Sequence, residues 1–282
     1  MTRRWLVGLL LGVGMAAALA QPQRVAVPSL DAAQALPVQL PGYWFGANAA
    51  GDRPAVVLLH GCGGIFDAKG HLGQRLVDYA ALLNAEGWHA LVLDSLTPRG
   101  EKELCTQRTG TRRVTQLQRR RDALGALQWL AAQPGVDRQR LALLGWSNGG
   151  STVLAATNRL HSEVARAGIA PRAAVAFYPG CEAELARRYA ATAPTLMLVG
   201  QSDDWTPAQP CLDLAAIAGS GLTAISYAGA YHGFDGSAPL RVRRDVPNGV
   251  RPGQGVTVGG DAAAREASRR DLLEFLRRQL NG

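Results

Sequence analysis

The chain has almost no lysine. Lys69 and Lys102 are its whole complement, so nearly all of its positive charge is arginine. None of its four cysteines sits in a Cys-x-x-Cys pair, which removes sequence support for a zinc site. No internal repeat and no long polar or acidic tract is present, and the latter argues against extended disorder. Also missing is an apolar run of roughly 20 residues, the length a membrane-spanning helix needs. The run from Trp5 to Ala18 is shorter, follows Arg3 and Arg4, and leads into Ala18-Leu19-Ala20, the small-x-small pattern a signal peptidase cuts. Residues 1–20 are therefore expected to be a cleaved signal peptide rather than an anchor. The mature chain would then start at Gln21 and keep no stable membrane association. The first cysteine is Cys62, far from the cut, which argues against a lipid-anchored lipoprotein. The expected location is periplasmic or secreted.

The formal net charge is +8. Its clusters, Arg112-Arg113, Arg119-Arg120-Arg121 and Arg241 with Arg243-Arg244, lack interleaved aromatics. They read as a solvated face rather than a nucleic-acid surface, so no nucleic-acid partner is expected. A length of 282 residues with 47% hydrophobic content suits one large α/β domain over 21–282.

Short continuous apolar runs alternate with helical spacing. Strands are expected at 55–59, 88–93, 140–146, 173–178, 195–199 and 222–227. Helices are expected at 74–86, 114–133, 149–160, 207–218 and 262–280. Strands apolar on both faces are buried parallel strands, and their alternation with helices predicts a mostly parallel, doubly wound central sheet with helices on both faces. Active sites in such sheets lie beyond the carboxyl ends of the strands. The segment from Gly233 to Gly260 has no clear element, and a loop that long is either functional or loose.

Gly145-Trp146-Ser147-Asn148-Gly149 is a Gly-x-Ser-x-Gly pattern, weak alone. Here an apolar strand leads in and a helix leads out, which resembles the nucleophile elbow of the α/β-hydrolase fold. The plain alternative is a strand–helix turn with Ser147 as N-cap. A hydroxyl needs a base to take its proton. In that fold the order is Ser, acid, His, and of His60, His71, His89, His161 and His232 only His232 follows the acid candidates. His89 and His161 suit surface roles, and His60 suits structural support. Gly200 to Pro207 offers Asp203 and Asp204 as the acid that orients the imidazole. Two backbone N–H groups would stabilise the oxyanion, one from Asn148 and one from Cys62, with Gly61 or Gly63 one residue away. Trp146, Trp205 and Tyr231 adjoin these residues and are expected to line an apolar pocket. The chemistry needs no metal or organic cofactor.

Four motifs together resemble the dienelactone hydrolase family of the α/β-hydrolase superfamily, from about Val56 to Leu280. They are His60-Gly-Cys-Gly-Gly64, Gly145-Trp-Ser-Asn-Gly-Gly150, Gly200-Gln-Ser-Asp-Asp-Trp-Thr-Pro207 and Gly229-Ala-Tyr-His-Gly-Phe234. The family's acid stands three residues after the strand-ending Gly and four before a Pro. The resemblance therefore implies Asp203, leaving Asp204 as a solvated or helix-capping acid. Dienelactone hydrolases proper carry Cys where this chain has Ser147, so the resemblance implies a serine-nucleophile variant acting on a small ester or lactone. An acyltransferase with the same triad, or a binding protein retaining the fold, are the alternatives. The family's substrate-binding arginines map to no fixed position; Arg99, Arg120 and Arg241 are candidates. Cys62 and Cys105 follow neighbouring strands, and Cys181 and Cys211 flank adjacent ones, so disulfides 62–105 and 181–211 are expected.

Overall fold

Each short apolar run forms a strand, because a residue buried on either face of a sheet leaves no position for a polar side chain. The computed structural model describes residues 21–33 and 36–281. The expected signal peptide lies outside the described residues. In chain order the elements are β1 (Gln23–Ala33), β2 (Leu36–Phe45), β3 (Arg53–Leu59), α1 (Gln74–Ala85), β4 (His89–Leu93), α2 (Gln116–Ala131), β5 (Val136–Trp146), α3 (Asn148–Thr157), α4 (Ser162–Arg166), β6 (Ala173–Phe177), α5 (Glu182–Arg187), β7 (Thr195–Gly200), α6 (Ala208–Ala218), β8 (Leu222–Tyr227), β9 (Arg241–Arg243), β10 (Val256–Val258) and α7 (Ala262–Leu280).

Eight strands form one sheet in the order β1-β2-β4-β3-β5-β6-β7-β8. From β4 to β8 every neighbouring pair is parallel. The β1–β2 and β2–β4 pairs are antiparallel. The mostly parallel, doubly wound arrangement is thus the observed one, with an antiparallel edge that the apolar pattern did not reveal. Pro28, Pro37 and Pro41 interrupt that edge in sequence, and proline within a run argues against a strand. The register explains their tolerance: β2 pairs with β4 only over Gly42–Phe45, so Pro37 and Pro41 stand where β4 does not reach.

Side chains alternate across β3. Val56 and Leu58 enter one core with Leu76, Tyr79 and Leu83 of α1 and with Leu272 and Leu276 of α7. Val57 and Leu59 enter the other with Leu127 of α2, Val153 and Leu154 of α3, and Leu214 of α6. Truncating such a fully buried leucine to alanine typically costs about 2–5 kcal/mol. The rigid sheet so clamped holds the ends of β3, β5, β7 and β8, from which the site is built.

Several polar residues sit deeper than their sequence context suggested. Arg119 and Arg120 are buried rather than solvated. Arg120 pairs with Glu163, while Arg121 reaches Asp31. His89 and His161 are buried too. His89 Nδ1 accepts from the Ala47 N–H at 2.8 Å, and His161 Nε2 meets Glu184 at 2.8 Å. Both disulfides, Cys62–Cys105 and Cys181–Cys211, are formed as expected. No helix among the described residues is long and apolar enough to cross a membrane.

Candidate active site

The turn after β5 forces Ser147 into a backbone conformation that L-residues rarely adopt, with φ 54° and ψ −118°. Such a residue costs on the order of 1–3 kcal/mol and persists only where its surroundings hold it. Here the Ser147 N–H donates to Phe177 O at 2.8 Å, tying the turn to β6. Two glycines make the turn feasible. A Cβ at Gly149 would lie 2.0 Å from Leu59 O, and one at Gly145 would lie 2.3 Å from Gly149 O. Ser147 stands at the N-cap position of α3 but makes no side-chain cap hydrogen bond.

Its hydroxyl goes elsewhere. Ser147 Oγ lies 2.9 Å from His232 Nε2, and His232 Nδ1 lies 2.8 Å from Asp203 Oδ2. A carboxylate can only accept, so Nδ1 carries the proton and Nε2 faces the serine hydroxyl as acceptor. All three side chains are buried. Asp203 is fixed in turn, because its Oδ1 accepts from the N–H groups of Trp205 at 2.8 Å and Thr206 at 2.9 Å. The imidazole is held between two rings, Tyr178 and Trp205, each with its centroid 4.6 Å away.

Asp204 is neither solvated nor a helix cap. Its carboxylate accepts from Thr257 N–H at 2.7 Å and Thr257 Oγ1 at 2.9 Å, and its carbonyl accepts from Val250 N–H. Adjacent acids on one loop point to opposite sides, one to the imidazole and one to the 244–258 segment. That segment is not loose. β9 and β10 pair antiparallel, and Val258 bridges to His232. The stretch from Gly233 to Gly260 thereby forms a wall of the site.

Cys62 follows β3, and its loop is pinned by the disulfide and by the Leu104 N–H donating to Cys62 O at 2.7 Å. Among the described residues the Cys62 N–H has no backbone or side-chain acceptor. Asn148 is the first residue of α3, where an N–H has no intrahelical acceptor. Both flank Ser147, with Cys62, Ser147 and Asn148 lining one cleft. His60 is a support: its Nδ1 lies 2.7 Å from Gly61 O, and its Nε2 accepts from Ser95 N–H at 3.3 Å. Burial, and secondly the charge of Arg119, holds the His60 pKa well below the ordinary value, so the ring is neutral.

Two clefts meet at Ser147. One, of about 530 Å³, is lined by Trp146, Trp205, His232 and Arg241 among others. The other, of about 390 Å³, includes Asn148, Arg112 and Glu182. Tyr231 lines neither, contrary to expectation. The bridge at His232 makes the chain locally extended, and neighbours on an extended segment face opposite ways. Of the candidate substrate arginines only Arg241 reaches a cleft. Arg99 is committed to Asp122 at 2.8 Å and Asp31 at 3.0 Å, and Arg120 to Glu163 at 3.1 Å.

The sequence pattern did not single out Asp235 or Thr206. Fully buried, Asp235 accepts from Trp146 Nε1 at 3.0 Å and Tyr178 OH at 2.7 Å, and pairs with Arg75 at 3.3 Å. It thereby fixes Trp146 and Tyr178, which both line the larger cleft, and Tyr178 in turn packs on the imidazole. Thr206 Oγ1 lies 3.0 Å from Asp203 Oδ2 and 3.1 Å from His232 Nδ1. Neither stands in a pattern that marks a role, since each has partners distant in the chain.

Known proteins extend the picture. The model of the dienelactone hydrolase family matches residues 40–280. Among solved structures, a putative dienelactone hydrolase from Klebsiella pneumoniae is 17% identical, with a TM-score of 0.63 over 90% of this chain and 98% of its own. A dienelactone hydrolase from Anabaena variabilis is 21% identical, with a TM-score of 0.62 over 93% of this chain and all of its own (100%). Esterase 2 of Thermogutta terrifontis, phosphorylated by paraoxon, is 16% identical, with a TM-score of 0.62 over 95% of this chain and 97% of its own. At these identities the likeness is one of fold, the α/β-hydrolase fold. None of the curated proteins matches this sequence.

Proposed function

This chain belongs to the dienelactone hydrolase family, and from that premise we propose that it is a serine hydrolase of carboxylic esters or lactones, with Ser147 as nucleophile, His232 as base and Asp203 as its orienting acid. One observation carries the reading: an unbroken hydrogen-bonded run from Ser147 Oγ through His232 to Asp203, at 2.9 and 2.8 Å.

The steps follow from the geometry. A substrate carbonyl oxygen sits against the Cys62 and Asn148 N–H groups. Ser147 Oγ attacks the carbonyl carbon while His232 Nε2 takes the hydroxyl proton, and Asp203 stabilises the imidazolium. The tetrahedral oxyanion is held by the two N–H groups, each worth on the order of 3 kcal/mol in the transition state. The C–O bond breaks, and the alcohol leaves with the proton from His232. Water, deprotonated by the same imidazole, then attacks the acyl-enzyme and releases acid and free Ser147. In a lactone the leaving alcohol stays attached to the acyl group. Two clefts converging on Ser147 suit the two halves of an ester. That an esterase of the same fold is phosphorylated by paraoxon supports an electrophile-reactive nucleophile in this chain too. The two disulfides support work in an oxidising compartment, periplasmic or extracellular.

Hydrolysis of a short-chain p-nitrophenyl ester tests the reading. Ser147→Ala should reduce kcat by on the order of 10⁴-fold or more with the fold intact. Turnover near that of the unaltered protein in the variant would remove Ser147 from the mechanism.

A further inference from the structure

Arg119, near the start of α2, is a buried cation that the proposed mechanism does not use. It is 1% exposed. Its Nη1 donates to the side-chain Oδ1 of Asn148, and its Nη2 donates to His60 O at 2.7 Å. Its Nε has no partner. Among the described residues no carboxylate oxygen comes within 4 Å of the guanidinium; Asp122, on the same helix, is taken by Arg99 instead. Burial draws its pKa down to about 10, which leaves it charged at neutral pH. An ionised group whose direct partners are neutral oxygens, with the Asp122 and Asp94 carboxylates acting on it only from beyond 4 Å, is expensive to keep. Leucine or methionine at this position would avoid that penalty, so the charge needs a reason.

The two groups it grips supply one. His60 O lies at the start of the loop that carries the Cys62 N–H, and Asn148 is the residue whose own N–H is the second proposed donor. A single planar fork spans both and so sets the separation of the two donors. The start of α2 is itself rigid. Thr115 and Gln118 form a capping box, and Gln116 Nε2 donates to Asn148 O at 3.1 Å. The charge of Arg119 stands one hydrogen bond from the Asn148 side chain and from His60 O, and a fixed charge in a buried position acts more strongly than in solution.

We infer that Arg119 is a positioning residue for the oxyanion site, setting the Cys62 and Asn148 N–H groups and lending its charge to the tetrahedral oxyanion. This rests on the reading of Ser147 as nucleophile. A residue acting this way contributes in the transition state and little to binding the ground state, so its loss falls on kcat and not on KM.

The test compares Arg119→Met, Arg119→Lys and Asn148→Ala with the unaltered protein. Active sites are first counted by end-point labelling with a fluorophosphonate. Then kcat and KM for a p-nitrophenyl ester are measured per labelled site, with the affinity of a trifluoromethyl ketone, which forms a tetrahedral oxyanion on the serine. Arg119→Met should lower kcat by on the order of 100-fold with KM within about threefold, and weaken the ketone in parallel. Arg119→Lys keeps the charge, loses the fork and should recover part of kcat. A purely structural brace would instead lower Tm and the labelled fraction, leaving kcat per site unchanged. A kcat per site within threefold of the unaltered value in Arg119→Met overturns the inference. Should that variant fail to fold, unchanged kcat per site in both Arg119→Lys and Asn148→Ala overturns it equally. If the unaltered protein takes no label at Ser147, the proposed nucleophile fails first and this inference falls with it.

Discussion

Removing the Cys62–Cys105 disulfide separates the stability of the molecule from the chemistry of its site. The bridge closes a sequence separation of 43, and Cys181–Cys211 closes one of 30. In the chain-entropy picture these lengths correspond to about 4.0 and about 3.6 kcal/mol of unfolded-state restriction. The two should thus matter almost equally to folding. They should differ in function, because Cys62 contributes a proposed oxyanion donor and Cys181 does not. Without its bridge the 61–64 loop keeps the Leu104 N–H to Cys62 O bond but loses its covalent tie. The expected result for Cys62→Ala/Cys105→Ala is a loss of about 3–4 kcal/mol in urea unfolding and a kcat at least tenfold lower at 25 °C. Cys181→Ala/Cys211→Ala should lose similar stability with kcat within about twofold. Equal effects of both pairs on kcat would refute the link between the 62–105 bridge and the oxyanion site. Unaltered stability in both would refute the disulfides, as would a mass unchanged on reduction where a gain of about 4 Da is expected for two bridges.

Asp203→Asn should reduce kcat by on the order of 10³–10⁴-fold, because an amide in that place no longer fixes the tautomer; Asp204→Asn should stay within about tenfold. The reverse ranking in a kinetic comparison would exchange the roles of the two acids. Stability should fall with acid. His60 is held neutral, so its contribution is full above the ordinary histidine value of 6.5 and is lost as pH drops through that value toward the lower folded pKa. Protonation would end the acceptance of Ser95 N–H and set a second cation beside Arg119. Melting curves from pH 7.5 to 5 should show Tm falling, with a shallower slope in His60→Gln; identical slopes would dismiss His60 as the source. His89, whose pKa burial also lowers, adds to the slope with the same sign.

The strand ends that carry Ser147 and Asp203 were legible because each follows a nearly unbroken apolar run, while His232 follows the edge strand LTAISY and was legible by its place after both in the chain. Leu141–Trp146 and Thr195–Val199 can only be interior strands, and what stands just beyond such a strand is held at the rim of the sheet. The antiparallel β1 and β2 were not legible, since Pro37 and Pro41 are tolerated where β4 does not reach and Pro28 on the edge strand of the sheet, both facts of register. The Arg119-Arg120-Arg121 triplet misled for a related reason. Sequence reports a charge but not which way the helix turns it, and α2 turns Arg119 into the site and Arg120 onto Glu163. Asp203 and Asp204 differ only by the side of one loop, so composition could not divide them; the spacing shared with the family did. Asp235 gave no local signal, because its partners Trp146, Tyr178 and Arg75 come from three distant parts of the chain.

The most direct test of the nucleophile is to find which atom an acylating or phosphylating reagent modifies. The protein treated with paraoxon or a fluorophosphonate, digested and mapped by mass spectrometry, should carry one adduct, on the Ser147 hydroxyl. Its formation should be strongly slowed in His232→Ala. An adduct on another residue, or fast labelling that ignores the loss of His232, would contradict the account.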